Sequence, residues 1–139
     1  MSWTRADYPL AERHADDVKG KRGKPIGSIT LDAILSGGIT MDDLRITPDA
    51  LRSQAGVSRD VGRTTLAANF ERASELVDIP QDFIMRVYEL LRPGRAKSAG
   101  DLLDAARIMR ETHKADRIAR FIEEAALVYG KRGLFTQRF

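Results

Sequence analysis

The chain contains no cysteine, which removes disulfides, thiolate metal sites and cysteine nucleophiles together. It has two histidines, His14 and His113, and no pattern of metal-ligand spacing surrounds either. Aromatic residues make up 6% of the sequence, so the stacking platforms that single-stranded nucleic acids use are scarce. No apolar run approaches the ~20 residues that cross a bilayer. The segment MSWTRADYPLAERHADDVKGKRGKP has no apolar stretch of signal-peptide type. Phosphate-cradling GxGxxG and GK[ST] elements are missing, as are HExxH and GxSxG. The expectation is a soluble, intracellular chain with no catalytic, cofactor-binding or metal-binding residues of its own.

What is present is globular. Apolar residues are 42% and charged residues 31% of 139, enough for one core. The 23 Lys+Arg and 20 Asp+Glu give +3, with both signs interspersed along the helical stretches. That pattern reads as a solvated, ion-paired surface. The alternative from another functional class is a small basic nucleic-acid module. Arg5, Arg13, Lys19, Lys21, Arg22 and Lys24 near the start, with Lys131, Arg132 and Arg138 near the end, would then contact phosphates. Carboxylates at paired spacing, such as Asp101 with Asp104 and Glu123 with Glu124, fall on polar helix faces, where solvation is the default.

Residues 1–29 differ from the rest. KGKRGKPIG concentrates glycine and like charge, and no helical periodicity is sustained there. This segment is expected to be an extended, non-helical arm that docks on a partner through Trp3, Tyr8, Pro9 and Leu10. It is expected to order mainly on binding. Residues 30–139 form the helical domain. Thr30 caps LDAILS, with Gly37 or Gly38 ending it, and Thr40 caps a short turn. Thr47-Pro48 starts a helix that runs toward Asp78, about 45 Å if unbroken, with bending or fraying near Gly56–Gly62. Its core stripe is Leu66, Phe70, Ala73 and Val77. A helix from Pro80 to Pro93-Gly94 uses Phe83, Ile84, Val87, Tyr88 and Leu91. Ser98 and Asp101 start a helix whose inward face is Leu102, Leu103, Ala106 and Met109. The last, about Ala115 to Tyr129, uses Ile118, Phe121, Ile122, Ala125, Val128 and Tyr129. No segment alternates with strand period. The fold class is all-α: a compact bundle of three to four helices, one of them long and central, with an N-terminal arm.

The residues so parsed carry a family likeness. DLRITPDALRSQA over 43–55 is followed by NFERASEL over 69–76, then by Ile79-Pro80, Ile84 and YELLRP over 88–93. Together with DYPLA at 7–11, ITLDAILSG at 29–37 and the ARFIEEAALVY run at 119–129, this resembles the small (gamma) subunit of coenzyme-B12-dependent diol or glycerol dehydratases. One departure is Gly94-Arg95-Ala96, where the family places an aromatic and then a serine; a looser helix exit is expected there. Some family members also begin with an amphipathic targeting helix. MSWTRADYPLAERH has no apolar stripe of adequate length, so it is not expected to direct the chain into a microcompartment by itself.

The resemblance implies an enzyme of large, medium and small subunits, a dimer of heterotrimers, that converts propanediol or glycerol to an aldehyde as a carbon–oxygen lyase. It implies that adenosylcobalamin and a cation are held by the partner subunits and that the small subunit is non-catalytic. Partners would be the large and medium subunits, not nucleic acid or membrane. The location would be cytoplasmic, with encapsulation in a bacterial microcompartment available through those partners. Tyr8, Pro9, Arg45, Arg72, Arg92 and Arg95 are the expected interface residues, because aromatic and arginine side chains near apolar surface are common interface anchors.

Overall fold

Each helix start foreseen from a hydroxyl side chain is realised. In the computed structural model, which describes residues 2–135, Thr30 Oγ1 accepts from the Ala33 N–H at 3.2 Å and Thr47 Oγ1 from the Ala50 N–H at 3.1 Å. Thr40 with Asp43 and Ser98 with Asp101 form capping boxes, satisfying N–H groups that a helix start leaves unpaired. The resulting helices are α1 (Leu10–Arg13), α2 (Leu31–Leu35), α3 (Met41–Leu44), α4 (Pro48–Asp60), α5 (Thr64–Leu76), α6 (Gln81–Leu91), α7 (Ala99–Glu111) and α8 (Asp116–Lys131). Among the described residues no β-strand forms beyond one isolated antiparallel bridge, Lys19 to Pro25. The fold is all-α. Contacts divide the chain into two compact units, Met1–Val77 and Asp78–Phe139.

In the first unit, the single long helix expected from Thr47 to Asp78 is corrected to two. The chain ends α4 at Val61, and Gly62 follows at φ +79°. The Arg63 N–H reaches back to the Ser58 carbonyl at 2.8 Å and the Gly62 N–H to Arg59 at 3.0 Å, a complete Schellman stop. α5 then folds back on α4. Small residues at the contact, Ala55, Ser58, Ala67 and Ser74, are buried, and Arg59 meets Glu71 at 2.6 Å. The buried face of α5 therefore runs through Ala67 and Ser74, while Leu66, assigned to the core stripe, stays exposed.

The segment before α2 also departs from a plain extended arm. A 3-10 turn over Arg5–Asp7, the short α1 and a second 3-10 turn over Ile26–Ser28 lie within it. It packs on α4 of its own chain. Leu10 is buried, the Arg5 N–H donates to Asp60 at 2.9 Å, and Trp3 lies so close to Gly56 that a Cβ there would stand 3.0 Å from it. The physical reason is local. The Asp7 carboxylate accepts the Thr4 N–H and hydroxyl, both at 2.9 Å, which lowers its pKa and tightens the first turn; Glycine-rich composition did not prevent this.

The second unit is built on the pair α7–α8. Leu102, Ala105, Ala106 and Met109 meet Ile118, Ala119, Ile122 and Ala126. Leu103 and Phe121, expected inside, are exposed: the buried stripe passes through small alanines that a search for large apolar residues skips. Arg110 donates Nε to Asp116 at 2.9 Å and its terminal nitrogens to Glu123 at 2.6 and 3.0 Å, tying the two helices. α6 contributes Val87, while Tyr88 is exposed. The Tyr129 hydroxyl, on α8, donates to the Leu91 carbonyl at the end of α6. Beyond that end, Gly94 turns at φ +81° and Ala96 is buried, so the departure at Gly94-Arg95-Ala96 forms a defined turn.

Replacing Gly62 by alanine should cost about 1 kcal/mol, because an L side chain is strained in the left-handed region. Thermal melting of Gly62→Ala should fall by a few degrees, whereas Gly27→Ala, at a site with open space and no positive φ, should melt close to the parent.

Candidate docking surface

A buried carboxylate organises the segment that carries α2 and α3. Asp43, third residue of α3's first turn, has a side chain with no solvent exposure. Leaving a charge there unpaired would be costly. Its Oδ2 accepts the Thr40 N–H at 2.9 Å. Arg22 completes the set: Nε donates to Oδ1 at 2.8 Å and a terminal nitrogen donates to Oδ2, a bidentate pair. The Arg22 guanidinium holds the Asp43 carboxyl well below the usual carboxylate range, and Asp43 in turn raises the pKa of Arg22. The same Arg22 donates to the Gly38 carbonyl at 3.0 Å, which Lys24 also reaches through Nζ.

Backbone geometry allows this closure at one point only by glycine. A Cβ at Gly20 would lie 2.3 Å from the Asp43 carbonyl oxygen, inside any permitted contact. The Gly20 N–H bonds Lys24 at 3.2 Å, and the bridge from Lys19 to Pro25 closes the loop that carries Arg22. Sequence reading treated KGKRGK as a run of repelling charge. Arg22 and Lys24 are instead spent inside the chain, which also takes them from the phosphate-binding alternative.

On this anchored scaffold α2 and α3 expose large apolar side chains. Leu31 is 70%, Leu35 76% and Met41 70% exposed, and Ile34, Leu44 and Ile46 are also exposed, while Ile39 between the helices is buried. Single exposed leucines are ordinary; so many in one short stretch are not.

The six residues expected at an interface divide between the two units, Tyr8, Pro9, Arg45 and Arg72 in the first and Arg92 and Arg95 in the second. Tyr8, at a cis bond to Pro9, is exposed in the first unit. Arg45 lies beside the α2–α3 surface with Nε 3.8 Å from Asp42. Arg72, on α5, donates to the Asn69 side chain. Arg92 and Arg95, in the second unit, share Glu89 at 3.1 and 3.5 Å. Sequence reasoning missed Arg22, Gly20 and Asp43 as a working group. The Thr40–Asp43 cap was legible; its partner twenty-one residues upstream was not.

Among the described residues no three His, Cys, Asp or Glu side chains converge as metal ligands. His14 lies between Asp7 at 2.8 Å and Asp17 at 3.6 Å with its ring edge-on to Trp3, and His113 stacks on Phe83 at 5.3 Å. No helix among these residues is long and apolar enough to cross a membrane.

Comparison with known proteins matches residues 3–136 to the family described as dehydratase small subunit. The propanediol dehydratase small subunit of Salmonella typhimurium (strain LT2) is 42% identical over 127 residues, covering 91% of this chain and 73% of the relative. The propanediol dehydratase small subunit of Citrobacter freundii is 42% identical over 126 residues, with the same coverage.

The Asp43 pair should make stability pH-dependent with a definite sign. Its carboxyl is charged in the folded chain at pH values where the unfolded one, near 3.8, already takes up a proton. The contribution is thus complete above about pH 5 and is lost as pH falls through and below 3.8. Melting temperature measured between pH 6 and pH 2.5 should drop less steeply for Asp43→Asn than for the parent, with Asp43→Asn the less stable at pH 6. Gly20→Ala should loosen the same contact and raise hydrogen exchange over residues 19–25.

Proposed function

The chain belongs to the dehydratase small-subunit family, and on that premise we propose that it is the non-catalytic small subunit of a coenzyme-B12-dependent propanediol dehydratase. The observation that carries this reading is the match over residues 3–136, which spans both units of the chain rather than one borrowed module. The assembled enzyme would convert 1,2-diols, propanediol or glycerol, to aldehydes by radical elimination of water, as a carbon–oxygen lyase. Adenosylcobalamin and a cation belong to the large and medium subunits in this reading, and the radical chemistry is theirs.

The part left to this chain is structural. It offers a rigid apolar surface anchored by Arg22–Asp43, and exposed arginines and Tyr8 on either unit. Contacts of that kind add buried area and orientation to an assembly without touching the reacting atoms. The holoenzyme would be a dimer of large–medium–small heterotrimers in the cytoplasm, with entry to a microcompartment governed by the partners.

The purified chain should turn over no 1,2-propanediol and retain no cobalamin after desalting, read from the visible spectrum. Co-expressed with the large and medium subunits of a propanediol dehydratase, it should co-elute with them, and its omission should lower the yield of soluble complex. Cobalamin retained stoichiometrically by the isolated chain would overturn the non-catalytic assignment, and failure to co-elute would overturn the subunit assignment.

A further inference from the structure

We draw no further inference here: the strongest candidate, the cleft between the N-terminal segment and α4 lined by Trp3, Leu10, Val18 and Ala50, carries none, because Arg52 and Arg59 at its wall are already paired with Asp49 and Glu71 and nothing in the structure shows what covers it.

Discussion

A carboxylate withdrawn from water must be met by donors, and Asp43 is where that requirement shapes the first unit. Its two oxygens are served by the Thr40 N–H and by Nε and one terminal nitrogen of the Arg22 guanidinium. Satisfying them brings the loop of residues 19–25 onto α3, demands glycine at position 20 for the approach, and leaves Arg22 placed to hold the Gly38 carbonyl between α2 and α3. The chain then leaves α3 through Arg45 and Ile46 into the Thr47 cap of α4. The apolar side chains of α2 and α3 can point outward because polar bonds and one buried isoleucine, Ile39, rather than an apolar core beneath them, hold their backbone. A hydrophobic core would have drawn those side chains inward.

The second unit reaches its stability by a different division. There Arg110 also serves two acids, Asp116 and Glu123, but all three groups stay in partial contact with solvent. Hydrogen bonding to Arg110 lowers the pKa of both acids. Charged pairs shared with solvent contribute modestly, and most of the holding falls to Leu102, Met109 and Ile122, which are fully buried between α7 and α8. One unit spends polar bonds on shaping a surface. The other spends apolar contacts on a closed helical pair.

What could be read in the sequence follows from the range of the interactions. Caps act over three residues, so Thr30, Thr40, Thr47 and Ser98 were each legible, as was the all-helical class. The stop at Gly62 was half legible: the glycine announces freedom, yet only the Schellman bonds from Gly62 and Arg63 decide that a helix ends rather than bends. The core stripes were only partly right on α5 and α8: Ile118 and Ile122 are buried as expected, whereas Leu66 and Phe121 are exposed. Periodicity there was weighted by side-chain size, whereas close helix packing favours Ala67, Ala119 and Ala126. The Arg22–Asp43 pair was hidden for another reason. It joins two segments across a loop, and a charge run carries no mark of which member will be drawn inside.

Trp3 is the only tryptophan in the chain, and it sits edge-on to His14 at 4.9 Å and against Gly56 of α4. Optically the molecule therefore carries a single indole, whose emission comes from one junction, the seam between the N-terminal segment and α4. An imidazole at that distance is positioned to quench the excited indole when protonated, and departure of the segment would expose the ring to water and shift its emission to the red. The docking of these first residues thus carries its own spectroscopic label, with no dye and no substitution needed to follow it.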